Sequence, residues 1–412
     1  MLILDKFRFA HLADCHIGGW REPKLHDASA KAFTKAVDIS LEKNIDFMII
    51  AGDLFNNAIP SIDNLKSAIS ELKRLYDNNI PVYVVAGSHD FSSSGKTIID
   101  VLEKAGLLIN LTKAEINDNK LKLKFTIDPK TNTKLTGMIG KRGMLEKKYY
   151  EQLDYSIESE QGFKIFVFHT ALSEFLPKEM KDMESMEVAS LPRNFNYYAG
   201  GHVHYIYETE KDGMRIVYPG PSFPNNFAEL EKLNNGSFYI VDVDKTENEP
   251  KINTEMIPLR LYNYVNLTID CNNKNPIEIN EGLKTKINGI EFFNSIVTIR
   301  LFGIMKSGKL TEINTEEIVK ELYDKGAYVV LKSTTKLQLQ DKVKVKDIVL
   351  NKSTIEDELI NSNIQSEPKK KLFKDLVKVL SDEQQDGERK YNFEDRLTEE
   401  IKNIVEQNDA KV

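Results

Sequence analysis

The sequence predicts an α/β layered fold with a small α+β domain and a helical hairpin behind it. Three observations carry this. Strand-length apolar runs alternate with helical stretches over the first 240 or so residues, those runs end in glycine, histidine and aspartate, and the composition shifts after about residue 340. Alternating strands and helices are the signature of a layered α/β domain. At 412 residues the chain is long for one core, so two or three domains are expected. With 41% hydrophobic and 29% charged residues it is expected to be globular rather than disordered.

The candidate strands are Phe7–Ala13, Phe47–Ala51, Val82–Ala86, Phe163–Phe168 and Tyr197–Ala199. Between the first two, Ala32, Phe33, Ala36, Val37 and Leu41 recur at helical spacing. Between the second and third, Ile62, Leu65, Ile69, Leu72 and Leu75 do the same, after Pro60 and Ser61 as a helix start. Met214–Tyr218 and Gly236–Val243 read as antiparallel additions. A second unit begins near Leu259, with Arg260–Asp270, a helix over Pro276–Ile287, Ser295–Phe302, a helix over Glu316–Lys325 and Ala327–Leu331 in a β-α-β-α-β order. Asn314 with Glu317 predicts a capping box, and Gly326 stands where a helix-ending glycine belongs.

Further on, Ser353–Ile360 reads as a short helix opened by Ser353 and Glu356, and Asn361–Pro368 as a linker. Leu372, Phe373, Leu376, Val379 and Leu380 share one helical face, a turn falls around Gly387, and Leu397, Ile401, Ile404 and Val405 mark a last helix. A hairpin this small cannot bury both stripes against itself. Docking onto its own domain and gripping a partner's helix pair are both open.

Composition excludes several classes. No run of about eighteen apolar residues exists, so no membrane span is expected. The start, running straight into a strand, lacks the basic flank and cleavage site of a signal peptide. Two cysteines, Cys15 and Cys271, give no disulfide framework, and a reducing cytoplasm is the expected compartment. The net charge of −7 argues against a surface that coats nucleic acid throughout, although it leaves room for a local patch. Between Lys120 and Tyr150 nine Lys or Arg stand against two acids, Asp128 and Glu146, as a DNA contact or a solvated face.

The histidines are the informative residues. Six of seven fall in four short segments, and a fifth segment brings Asp53; all five lie at the carboxyl ends of predicted strands, where loops of an open α/β sheet converge. The segments are His11-Leu-Ala-Asp14-Cys-His16, Gly52-Asp53, Gly87-Ser88-His89-Asp90, Phe168-His169 and Gly200-Gly201-His202-Val203-His204. In extended chain, residues two apart face the same way, so Asp14 with His16 and His202 with His204 are each expected to share a face. Gly52 lets Asp53 turn into the crevice, and a carboxylate with two oxygens is a natural bridge between cations. Mixed carboxylate and imidazole donors suit manganese, iron or zinc better than calcium. By the same alternation His11 faces away as a structural histidine, and Cys15 points away from the ligands. Trp20 and His26 lie in a loop whose role stays open.

This ordered set resembles the calcineurin-like metallophosphoesterase superfamily, whose pattern runs D-x-H, G-D, G-N-H-D, H and G-H-x-H. The surrounding residues are similar to the SbcD-type nucleases of DNA double-strand-break repair: Asp14-x-His16-Ile-Gly18, Gly52-Asp53-Leu54-Phe55 and the turn at Tyr218-Pro219-Gly220. The resemblance implies a layered metallophosphoesterase sandwich over residues 1–258, a capping domain over 259–340, a short helix and linker over 341–366, and a hairpin over 367–412. It implies one metal on Asp14, His16 and His204, a second on Ser88, His169 and His202, and Asp53 bridging. His89 would stand by the scissile phosphate, with Asp90 as a candidate to orient it. Ser88 replaces the family's asparagine, and Asn56 stands where many relatives have a histidine.

The function implied by this resemblance is that of a manganese-type nuclease with duplex 3′–5′ exonuclease and single-strand endonuclease activity, serving homologous recombination at the nucleoid. The implied partners are DNA, a coiled-coil ABC-type ATPase held by Leu372, Phe373, Leu376, Leu380, Leu397, Ile401 and Ile404, and a second copy of the chain. The helix Ile62–Leu75 is open between a dimer contact and core. Lys141, Arg142, Lys147 and Lys148 are the candidate phosphate contacts. Two other readings stand beside this one. They are a metallophosphoesterase of a small phosphodiester or phosphoprotein, and a scaffold of the same fold without catalysis.

Overall fold

In a computed structural model, residues 3–92, 95–340, 360, 364, 366–381 and 390–409 are described. They form two compact units, Met1–Gly303 with Gly308–Leu337, and Ile304–Ser307 with Gln338–Val412.

The first unit is built on two six-stranded sheets. One runs in the order Lys251–Leu259, Gly236–Asp244, Lys6–Leu12, Phe47–Ala51, Val82–Val85, Ile109–Asn110. Its inner strands are parallel, and Gly236–Asp244 joins Lys6–Leu12 antiparallel. The other runs Ile206–Lys211, Met214–Pro219, Tyr197–Gly201, Lys164–His169, Lys134–Met138, Thr126–Ile127, again parallel at its centre. Periodicity alone does not mark Lys134–Met138, which carries Lys134 and Gly137. Pairing with the apolar strand Lys164–His169 makes it a strand, a tertiary effect that overrides residue preference.

The faces between the sheets close on a slab of apolar side chains. At the amino ends of the strands the slab is aromatic: Phe7 meets Phe163 edge-on at 5.5 Å, Phe9 stacks on Phe47 at 5.0 Å and meets Tyr197 edge-on at 5.2 Å. Burial of each such ring contributes about 1.5–3 kcal/mol. At the carboxyl ends the slab thins to Ala13, Ala51 and Ala199. The sandwich is therefore a wedge, and the histidine segments sit at its thin end. The helices Ala28–Glu42 and Ile62–Asp77 cover the outer face of the first sheet. Ser61 caps the second of these by accepting from the Asn64 N–H. Its Leu72 and Leu75 are core, Leu65 and Ile69 are half-buried, and Ile62 is exposed.

Beyond Leu259 a three-stranded sheet, Asn263–Asp270, Ser295–Met305 and Val329–Leu339, carries the helices Pro276–Ile287 and Thr315–Asp324. The helix at Thr315 starts after Asn314 as expected, but Asn314 makes no side-chain cap; its backbone N–H donates to Asn280 instead. The capping box forms at Asn275 and Glu278, with Pro276 in the first turn. Gly326 ends the later helix at φ +93°. In the second unit the helices Glu367–Leu380 and Lys390–Asp409 pack against each other. Most of the expected helix Ser353–Ile360, part of the linker Asn361–Pro368 and the turn at Gly387 lie outside the described residues. Among the described residues no helix is long and apolar enough to cross a membrane.

Candidate metal centre

The five segments meet at the thin end of the wedge. Parallel register between Lys6–Leu12 and Phe47–Ala51 carries on into their loops. The Asp14 N–H donates to Gly52 O at 3.1 Å, the His16 N–H to Asp53 O at 3.0 Å and the Ile17 N–H to Leu54 O at 3.1 Å. Asp14 and His16 do not lie in the extended chain that their two-residue spacing predicts. Both, with Asp53, have positive φ (50°, 42° and 51°), so curled backbone rather than strand alternation aims them at one point. His202 has φ 89° for the same reason and is likewise outside the extended region. Such angles are costly for residues with a Cβ and are held here by the hydrogen bonds between neighbouring loops.

The close approach depends on two glycines. Gly52 has φ +89°, and a Cβ there would lie 2.1 Å from His169 Nδ1. Gly201 faces the Ala51 carbonyl, which a Cβ would meet at 1.9 Å.

Ligand atoms of Asp14, His16 and His204 lie within 4.8 Å of one another, as do those of His16, Asp53 and His89, and those of Asp14, Asp53 and His169. Asp53 Oδ2 is 3.2 Å from His169 Nε2 and 3.7 Å from His16 Nε2, and it accepts from Ser88 Oγ at 3.3 Å. Asp14 Oδ1 is 3.6 Å from His204 Nε2 and 3.9 Å from His16 Nε2. His16 and His204 bring their Nε2 atoms within 3.0 Å of each other. His202 stands beside His169, ring centroids 5.1 Å apart, and its backbone N–H donates to both Asp14 oxygens at 3.1 Å. Its imidazole belongs to none of the three groups.

The residues fit a pair of divalent cations. His169 donates Nδ1–H to Ala51 O at 2.8 Å, which turns Nε2 inward to face Asp53 Oδ2. His204 gives Nδ1 to Glu229 Oε1 at 2.9 Å and likewise turns Nε2 inward. Fixing one ring nitrogen on an acceptor is how metal-binding imidazoles are oriented. Burial holds His16 and His202 at about 4, neutral and able to donate a lone pair. At His169 burial works downward too, but Asp53 outweighs it and lifts the group to about 9. At His204 burial is outweighed by Asp14 and Glu229, which raise it well above its ordinary value. Three acids, Asp14, Asp53 and Glu229, pull positive charge onto the neighbouring rings, and the same field attracts a cation.

Glu229 is the residue that sequence reasoning missed. Its trace was the Asn226-x-x-Glu229 spacing, in which Asn226 caps the helix Phe227–Leu233. His89 donates its backbone N–H to Asp53 Oδ1 at 2.7 Å, and its Nδ1 lies 2.8 Å from Asn56 O. Asp90 does not orient that ring. Its buried carboxylate accepts the N–H of Gly87 at 2.9 Å and of Phe55 at 3.3 Å, so it holds the loop, and burial beside Asp53 pushes it up to about 7.

Outside the cluster, His11 is buried with Nδ1 on the Tyr197 hydroxyl at 3.0 Å, and Cys15 is buried with its thiol pushed up by that burial. Trp20 donates to Pro224 O, and His26 lies on Trp20 O. The basic segment passes the cluster at Gly140, where a Cβ would strike His169. Buried Glu146 anchors it, accepting from the Lys141 N–H at 3.0 Å and from Thr170 Oγ1 at 3.0 Å. Lys141 lies against Tyr149, while Arg142, Lys147 and Lys148 are exposed. Lys124, Lys130 and Lys134 are instead engaged with Glu115, Asn79 O and Glu160.

Residues 7–205 match the family model described as calcineurin-like phosphoesterase. The chain is 30% identical over 233 residues to the DNA double-strand break repair protein Mre11 of Archaeoglobus fulgidus, covering 55% of this chain and 52% of that one. It is 28% identical over 249 residues to the protein of the same name from Methanopyrus kandleri, covering 58% and 54%. It thus spans about half the length of these curated relatives. A solved dimetal phosphatase from Danio rerio aligns at 12% identity with a TM-score of 0.40, over 61% of this chain and 99% of that one. The matched stretch takes in Asp14, His16, Asp53, Ser88, His89, His169, His202 and His204, so this part of the chain is similar to calcineurin-like phosphoesterase domains at every residue of the candidate centre's sequence pattern but Ser88.

Proposed function

We propose that the chain is the nuclease of a DNA double-strand-break repair complex, a two-metal phosphodiesterase that takes manganese. The observation that carries this is the meeting of Asp14, His16, Asp53, His169 and His204 around one point, with two inward nitrogens already oriented. Asp14, His16 and His204 would hold one ion, and Ser88, His169 and His202 the other, with Asp53 between. Bound there, two divalent ions lower the pKa of a water and hold phosphate oxygens for in-line attack. His89 keeps Nδ1 on Asn56 O, beside the His16 ring, and leaves Nε2 as the nitrogen available to substrate. In its cationic form that nitrogen donates a proton to the leaving oxygen, and in its neutral form it accepts one.

DNA as substrate is supported by the relatives' shared name and by Arg142, Lys147 and Lys148, exposed beside the cluster. On this reading the enzyme degrades duplex ends in the 3′–5′ direction and cuts single strands. Residues 1–258 form the nuclease domain and 259–340 the cap. The terminal helices take the coiled-coil base of an ABC-type ATPase; Phe373 and Leu380, 47% and 63% exposed, support such a contact. A second copy would pair through the exposed end of Ile62–Asp77, where Ile62 is 84% exposed.

The test is manganese-dependent digestion of linear duplex DNA beside a generic small phosphodiester. His89→Ala is expected to retain Mn2+ binding by calorimetry and lose cleavage, and Asp53→Ala to lose both. Cleavage by Asp53→Ala at the wild-type rate would overturn the reading. Turnover of the small ester with DNA untouched would move the substrate away from nucleic acid.

A further inference from the structure

One short segment, 225–231, touches both halves of the candidate centre and the small domain behind it. Glu229, buried but for 16% of its side chain, holds His204 Nδ1 through Oε1 at 2.9 Å. The same carboxylate is fixed by the Asn225 N–H on Oε2 at 2.7 Å and by Asn226 Nδ2 on Oε1 at 2.5 Å. Asn225 Nδ2 in turn reaches Asn56 Oδ1 at 3.4 Å, and it is the Asn56 carbonyl that receives His89. Two residues past Glu229, Glu231 forms a fork with Arg300 of the strand Ser295–Met305. Nε lies 2.7 Å from Oε1 and Nη2 lies 2.6 Å from Oε2, with both side chains about 15% exposed. The guanidinium also lies 4.9 Å from the Phe227 ring centroid. A bidentate arginine pair of this kind fixes direction as well as distance.

We infer that Glu229 is a positioning residue for the metal centre, acting through His204, and that Arg300 couples the small C-terminal domain to it through the helix Phe227–Leu233. A neutral imidazole can hand its lone pair inward only if its other nitrogen keeps the proton, and Glu229 is the group that receives that proton's hydrogen bond. The Arg300 fork lies two residues further along the same seven-residue helix, so displacement of the small domain shifts the carboxylate that aims His204. The centre is thereby tied to a domain that contributes none of its ligands.

This inference rests on the two-metal reading and is tested by Mn2+ titration calorimetry of the full chain, with a melting curve of the chelator-treated protein for each variant. Loss of an outer partner of a ligating histidine typically weakens metal about 10–100-fold. Glu229→Leu is expected to weaken one of two Mn2+ by that factor, and Glu229→Gln, which keeps an acceptor oxygen, to recover part of it. Arg300→Gln is expected to weaken the same ion several-fold, with Arg300→Lys intermediate.

Wild-type Mn2+ affinity in folded Glu229→Leu overturns the inference while leaving the metal centre standing. Should Glu229→Leu fail to fold, Glu229→Gln decides, and unchanged affinity there overturns it equally. Unchanged affinity in Arg300→Gln removes the coupling to the small domain. Failure of the wild type to bind Mn2+ would instead sink the metal reading itself.

Discussion

Gly201→Ala places one methyl group at a close approach of the two sheets. The added Cβ would stand 1.9 Å from the Ala51 carbonyl oxygen, 2.8 Å from His169 Nδ1 and 3.1 Å from the Ala13 Cβ. Ordinary contact requires the backbone of Phe47–Ala51 to retreat by about 1 Å, which breaks the 2.8 Å bond from His169 to Ala51 O. Overpacking of this kind costs about 1–3 kcal/mol and the lost hydrogen bond about 1 more. A total of about 2–4 kcal/mol corresponds to a melting point lower by roughly 5–15 °C for a domain of this size. The assay is thermal melting with chelator present, followed by Mn2+ titration, in which the ion beside His169 should weaken as its ring is freed. Gly282→Ala is the control. It lies inside the helix Pro276–Ile287 with open space around its Cβ, so the same substitution should stabilise by about 0.5–1 kcal/mol. A Gly201→Ala protein that melts with the wild type and binds Mn2+ unchanged would refute the close approach of the sheets.

Three further outcomes are expected. Ser88→Asn, which extends an amide oxygen past the hydroxyl now on Asp53 Oδ2, should lower the manganese concentration for half-maximal activity; an unchanged value means position 88 does not reach the ion. Replacing Arg142, Lys147 and Lys148 together by serine should weaken DNA binding uniformly across sequences and flatten the log–log salt slope by up to about 0.9 per charge, read by fluorescence anisotropy. His11, which burial lowers to about 3 against 6.5 for a free imidazole, must stay neutral in the folded chain. Below pH 6.5 the unfolded chain binds a proton the folded one refuses, so stability falls with falling pH, by about 2 kcal/mol between pH 6.5 and 5. His11→Gln should lose that part of the acid sensitivity in chelator-treated urea melts, and an identical pH slope would contradict it.

The legible and the hidden parts of this fold divide along a physical line. Strands buried on both faces, such as Phe47–Ala51 and Lys164–His169, are legible as continuous apolar runs, and their ends announced Asp53 and His169. Lys134–Met138 and Lys251–Leu259 are held by their neighbours' hydrogen bonds and carry no apolar run of their own. The meeting of Asp14, His16 and Asp53 is expected from the sequence, but its cause is not, since left-handed backbone angles enforced from neighbouring loops leave no periodic mark. Asp90 and Glu229 show the same limit from two sides. Adjacency to His89 suggested a partnership that the loop geometry denies, whereas Glu229, 25 residues from His204, reaches that ring through a turn of helix no spacing rule describes.

The tapering slab has a consequence for how such a centre is kept together. Aromatic bulk near Phe7, Phe9 and Tyr197 supplies most of the cohesion between the two layers, and Ala13, Ala51 and Ala199 supply little where the acids gather. Like a clothes-peg, the molecule is sprung at one end and grips at the other. Any cation seated between its jaws would fasten the edge that greasy contacts leave least secure, so cargo and architecture would reinforce each other.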